Sequence, residues 1–276
     1  MTKCIRRFVS QKATKLSLAL IIFATFSNAS LDIKTPKSEK ISSLMLVGNS
    51  FFYYNNSLHN HLGDLIKNDP NVTSMKRRSI TINGSDLPWH DIESYLSNEH
   101  IGSFRIDTKN NNKYVPSSNT KIDAVIFMGC SLCPIHPDTK DTFQVYVQKY
   151  SEIIRDKNAE PMLFMSWPYK NKPEMINSLR NVFINTANKN NLLLIPAGEA
   201  FYRFNLSYPE IDLYTKDLRH PSKEGTYLAA AVVFASLYGK ATAGNPGIMN
   251  LDPEVAHKIQ MSVDKTVSEF MGITLK

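Results

Sequence analysis

Leu44-Met45-Leu46-Val47-Gly48-Asn49-Ser50-Phe51-Phe52 is the stretch whose reading decides the fold. Four consecutive apolar residues without polar alternation suit a strand covered on both faces, as in a parallel sheet, rather than one with a wet side. The run stops at Gly48-Asn49, residues that favour turns, and helical spacing of apolar residues sets in over Ser57–Lys67. Strand, short loop and helix make the first half of a parallel crossover unit.

The same alternation continues outward from there. Apolar runs at Ser79–Ile82, Ala124–Met128, Met162–Ser166 and Leu192–Pro196 predict four more strands. Between and after them, helical patterns cover His90–Ser97, Thr142–Lys157, Glu174–Lys189, Lys223–Tyr238 and, near the end, Pro253–Met271. This predicts an α/β protein of three layers, α/β/α, around a mostly parallel five-stranded sheet. Asp107–Lys121 carries four asparagines and little periodicity, which predicts an exposed insertion between the second and third strands. In such sheets the reactive groups sit on loops leaving the carboxyl ends of the strands.

Residues 1–29 read differently from the rest. They hold five basic side chains and no acidic one, then an apolar core from Leu16 to Phe26 and the small-residue exit Ser27-Asn28-Ala29. That is the pattern of a secretory signal peptide, and the eleven-residue core falls short of the roughly twenty residues a membrane span needs. An uncleaved anchor is the alternative reading. Cleavage after Ala29 leaves a single domain over residues 30–276, located in the periplasm or outside the cell, without stable membrane insertion. It also leaves 27 of the 32 basic residues against 25 acidic ones, a net charge of +2 in place of +7. Lys76-Arg77-Arg78 is the nearest thing to a basic cluster and reads as a solvated strand start, so no nucleic-acid partner is expected.

Ser50, at the end of the first strand and just before a helix, is a candidate nucleophile, since a helix amino end favours developing negative charge. Alone, Gly-Asn-Ser is a turn. Asp217-Leu218-Arg219-His220 precedes the last strongly apolar helix and can place a carboxylate on the histidine Nδ1, leaving Nε2 to take a proton from a serine. Alone, it is a turn followed by a cap at Ser222.

Taken jointly, these blocks resemble the SGNH, or GDSL-type, hydrolases, and within them a subgroup with Gly-Asn-Ser in the first block and a serine in the third. The likeness spans most of the chain after the export segment. Val47-Gly48-Asn49-Ser50-Phe51 resembles the first block, Asn83-Gly84-Ser85 the second, and Phe127-Met128-Gly129-Cys130-Ser131 the third. The resemblance implies a flavodoxin-like layering and acyl transfer from an ester to water. It implies Ser50 as nucleophile, His220 as base and Asp217 as its orienting acid. It further implies an oxyanion hole from the backbone N–H groups of Ser50 and Gly84, with Ser131 as third donor. The family carries an asparagine at that third position, so the chain departs from the pattern there. A small-molecule or glycan ester outside the cytoplasm is the implied substrate.

Other residues carry less. The elbow Gly-x-Ser-x-Gly is absent, which argues against an α/β-hydrolase. His90 and Trp167 follow strands at the carboxyl edge and are candidate substrate contacts; second-layer packing for the histidine and core packing for the tryptophan are the alternatives. His59 and His61 are two apart on a helix and make a poor metal pair. Cys130 and Cys133 permit a small disulfide, half a zinc site or a redox pair. No phosphate loop, dinucleotide fingerprint or calcium loop occurs, so no cofactor or metal is expected. A non-catalytic carbohydrate-binding protein that retains the fold is the rival reading, favoured by Ser131.

Overall fold

The computed structural model describes residues 30–98, 101, 104–116 and 121–276; the expected export segment, residues 1–29, lies outside them. The first strand, β1 (Ser43–Gly48), runs into a single turn of helix, α1 (Ser50–Tyr53), and then α2 (Leu58–Lys67). The edge strand β2 (Lys76–Thr81), a 3-10 turn at Leu87–Trp89 and α3 (Ile92–Ser97) follow. Next come a hairpin of β3 (Phe104–Asp107) and β4 (Lys113–Pro116), then β5 (Ala124–Phe127), α4 (Lys140–Asp156), β6 (Glu160–Phe164) and α5 (Met175–Lys189). The chain closes with β7 (Leu193–Ile195), α6 (Ala197–Ser207), α7 (Lys223–Tyr238) and α8 (Pro253–Met271).

The main sheet has five strands in the order β2-β1-β5-β6-β7, and every pairing is parallel. Leu46 of β1 lies opposite Ser79 on one side and Ile126 on the other. Strands β1, β5, β6 and β7 are buried along their whole length, as their unbroken apolar runs require when helices cover both faces. The flanking helices fall into two groups. α7, buried from Gly225 to Leu237, lies against α2, α6 and α8, whereas α3 packs on α4 and Phe143 of α4 meets Phe183 of α5 edge to face. The strand order reverses between β1 and β5, and a crevice opens at such a switch point beyond the carboxyl ends of the strands.

The expected architecture is present, with three local corrections. The asparagine-rich insertion is an antiparallel hairpin rather than a structureless loop, its turn made by Asn111 and Asn112 at φ of 52° and 53°. α6 begins two residues after β7 and the sequence reading has no counterpart for it. The basic triplet is solvated only at Lys76, because Arg78 is buried and Arg77 folds over α2, its Nε donating to the His59 carbonyl at 3.0 Å. Among the described residues no helix is long and apolar enough to cross a membrane.

Candidate active site

The three loops leaving β1, β2 and β5 are cross-linked by one side chain. Asn49 is buried, its Oδ1 accepts from the Phe51 N–H at 3.1 Å, and its Nδ2 donates to the carbonyls of Ser85 at 3.0 Å and Gly129 at 3.2 Å. An aspartate could accept the first of these bonds but could donate neither of the others. Gly48 is needed for the close approach, since a Cβ there would stand 2.8 Å from Met128 Cγ and 2.8 Å from Phe52 Cδ2. Ser50 therefore heads α1 in a fixed position.

His220 arrives from a loop 170 residues away, and its Nε2 lies 2.8 Å from Ser50 Oγ. Its Nδ1 is hydrogen-bonded to Asp217 Oδ2. The other carboxylate oxygen, Oδ1, accepts the N–H of Arg219 at 3.0 Å, the N–H of His220 at 2.9 Å and the Thr215 hydroxyl at 2.8 Å. Partial desolvation works to raise the Asp217 carboxyl, but these hydrogen bonds outweigh it and hold the group well below the usual carboxylate range. An ionised Asp217 keeps the imidazole proton on Nδ1 and aims the Nε2 lone pair at Ser50.

The loop that carries this pair is tight. The Thr215 N–H donates to the His220 carbonyl at 2.8 Å and the Leu218 N–H to the Thr215 carbonyl at 2.9 Å, which drives Leu218 to φ 66°. That left-handed conformation is unfavourable for leucine and persists only because the surroundings over-determine it. The imidazole is gripped from two sides, by Tyr54 stacked at 4.4 Å and by Phe51 edge-on at 5.8 Å.

A cleft of about 290 Å³ opens in front of the serine, lined among others by Ser50, Gly84, Cys130, Ser131, Arg219 and His220. Gly84 sits at φ 67° with open space where a Cβ would project. The N–H groups of Ser50 and Gly84 make no hydrogen bond among the described residues, so both remain available to an incoming oxygen. Ser131 Oγ lies 2.8 Å from Tyr169 OH. The alternatives left open for the cysteines resolve to a disulfide, Cys130–Cys133, whose loop contains Ser131. Asp86 anchors the loop by accepting the Cys130 N–H at 3.2 Å; although Asp86 and the two sulfurs come within 4.8 Å of one another, a disulfide offers no thiolate to a cation.

Ser50, Asp217, His220, Gly84 and Ser131 thus come together as the sequence suggests. His90 and Trp167 do not reach the cleft. Trp167 is fully buried in a stack between Phe51 at 4.3 Å and Phe201 at 4.0 Å, and its Nε1 donates to the Arg219 carbonyl at 3.0 Å. It supports the histidine loop from beneath. His90 is buried behind the second loop, its Nε2 2.9 Å from Ser85 Oγ, which donates to the Gly48 carbonyl at 3.2 Å. Burial lowers its pKa, so this imidazole is a neutral link in the wall. His59 and His61 also diverge, to Ser57 Oγ and the Asn55 carbonyl. A larger cavity elsewhere, about 740 Å³, surrounds Arg180, Glu199 and Arg203, but both arginines pair with Glu199 at 2.8 Å and it is lined by none of Ser50, Asp217 and His220.

Sequence reasoning missed several supports. Asn55 donates to the Pro221 carbonyl and to Thr226 Oγ1, each at 2.8 Å, from a run of three residues, Asn55, Asn56 and Ser57, at φ of 51°, 70° and 66°. The Asn-Asn-Ser triplet was the available signal, because asparagine tolerates that region. Tyr54, Thr215 and Tyr169 carried none.

A parallel sheet in the order β2-β1-β5-β6-β7 with helices on both faces is a fold that solved structures share. A family DUF4886 protein of Bacteroides uniformis aligns over 85% of this chain and 96% of its own, with a TM-score of 0.58 and 18% identity. A protein assigned to the SGNH hydrolases from Slackia heliotrinireducens aligns over 71% of this chain and 99% of its own, with a TM-score of 0.50 and 19% identity. The acetyl xylan esterase AlAXEase aligns over 70% and 98%, with a TM-score of 0.50 and 17% identity. No family model matches the chain, and no curated protein matches it either.

Proposed function

We propose that this chain is an exported serine esterase that removes acyl groups from a carbohydrate or other glycan. The observation that carries the reading is the hydrogen-bonded series Asp217, His220 Nδ1, His220 Nε2 and Ser50 Oγ, the last contact at 2.8 Å. Ser50 Oγ attacks the ester carbonyl as His220 takes its proton. The tetrahedral oxyanion is met by the N–H groups of Ser50 and Gly84. Collapse expels the alcohol, protonated by His220, and water repeats the sequence on the acyl-serine.

A sugar alcohol fits the polar lining of the cleft, where Asn83 and Arg219 stand beside the serine. The fold shared with an acetyl xylan esterase supports the same class. Hydrolysis of p-nitrophenyl acetate and of acetylated xylo-oligosaccharides by wild type and Ser50→Ala tests the reading. The expected loss is at least about 10⁴-fold in kcat, and equal rates would end it. The alternative, a glycan-binding protein without turnover, is favoured by Ser131 in place of an amide donor; it predicts sugar binding by both proteins and hydrolysis by neither.

A further inference from the structure

Ser131 is the weak point of the proposed oxyanion hole, because its hydroxyl has one proton and that proton can be consumed elsewhere. Its neighbour decides the matter. Tyr169 OH, on the segment after β6, lies 2.8 Å from Ser131 Oγ, and either oxygen could donate. If Ser131 donates to Tyr169, it presents only lone pairs to the cleft, and those repel an oxyanion. If Tyr169 donates to Ser131, the serine proton is released to the cleft and is polarised by the bond its oxygen accepts. A phenol, with a reference pKa of about 10, is the stronger acid of the two hydroxyls and hence the better donor.

We propose that Tyr169 is a positioning residue that donates to Ser131 Oγ and so turns the Ser131 proton toward the tetrahedral oxyanion, the pair together replacing a single amide side chain. The inference rests on the esterase reading. Two further restraints fit it. The Cys130–Cys133 disulfide and the bond from the Cys130 N–H to Asp86 hold the Ser131 loop, while the Ser166 hydroxyl donates to the Ser131 carbonyl at 3.4 Å. A donor held in place before the reaction needs no reorganisation as charge develops.

A kinetic cycle on the exported chain with p-nitrophenyl acetate tests this. Tyr169→Phe is expected to lower kcat by about 10- to 100-fold with KM nearly unchanged, and Ser131→Ala by about 100-fold. The double variant is expected to be no slower than Ser131→Ala alone, because Tyr169 acts only through the serine. Ser131→Asn, which brings its own N–H donors, is expected to rescue Tyr169→Phe; a tyrosine that merely supports the fold would be equally costly in that background. A Tyr169→Phe enzyme with wild-type kcat, or penalties that multiply, would overturn the assignment while leaving Ser50-dependent turnover intact. Wild-type turnover equal to that of Ser50→Ala would overturn the esterase reading and this inference together.

Discussion

Asn55 donates to the Pro221 carbonyl at 2.8 Å, and through that bond the turn after α1, the helix that Ser50 heads, is tied to the loop bearing His220. The second bond from the same amide, to Thr226 Oγ1, pins α7 to the junction. Asn55→Ala removes both bonds and leaves the Pro221 carbonyl and the threonine hydroxyl without that donor. Stability should fall by about 1–3 kcal/mol in urea denaturation. Activity should fall further than the lost folded fraction explains, because Nε2 and Oγ are no longer held at hydrogen-bond distance. A variant with wild-type kcat/KM would show that the tie does not position the pair.

Asp217 predicts a pH signature. Its pKa is depressed in the folded state, so its contribution to stability is present above the unfolded value of about 3.9 and is lost as pH falls through the folded value. The stability gap between wild type and Asp217→Asn should therefore be full at neutral pH and shrink below about pH 4. Since the carboxylate stays ionised throughout the range above that, the acid limb of kcat/KM should report one proton rather than two. Asp217→Asn should lower kcat by roughly 10⁴-fold through loss of the oriented tautomer. An acid limb with two-proton slope would contradict the assignment.

The disulfide should matter for rate more than for binding. Reduction frees the loop that holds Ser131, and kcat on p-nitrophenyl acetate should drop several-fold while KM changes little. Thiol titration must show two more free sulfhydryls in the same sample than in the unreduced protein. Unchanged kcat in a demonstrably reduced protein would mean that the loop is held by Asp86 and its packing alone.

Leu218, at φ 66° and partly exposed, stores strain in the histidine loop. Leu218→Gly should keep the turn and retain activity, whereas Leu218→Ile should cost about 1–2 kcal/mol, because a branched Cβ worsens the left-handed clash. Equal stability of the two variants would show that the backbone relaxes there.

Much of the sheet was legible because burial on both faces leaves continuous apolar runs, as at Leu44–Val47 and Ala124–Phe127. The proposed Ser50–His220–Asp217 series was legible for a different reason. Ser50 and the Asp217–His220 block each read alone as turns, and it is their joint placement and resemblance to the SGNH blocks that link them. α6 escaped although Ala197, Ala200, Phe201 and Phe204 have helical spacing, because Pro196 and Gly198 mark a loop by local rules. Gly198 is there for contact, since a Cβ would sit 2.1 Å from the Ser166 carbonyl oxygen. Trp167 and His90 were correctly placed at the sheet's carboxyl edge but on the wrong side of the cleft floor. Edge position follows from sequence; burial in an aromatic stack with Phe51 and Phe201 depends on contacts distant in the chain. The link from Ser131 to Tyr169 spans 38 residues and follows no motif.

The central claim is that Ser50 is a primed nucleophile, and the direct measurement is covalent labelling by a fluorophosphonate, mapped by mass spectrometry of the digested protein. One label per chain, on Ser50, is predicted, with none on Ser50→Ala and strongly slowed labelling of His220→Ala. A folded wild-type protein that takes no label, or takes it on another residue, would contradict the account.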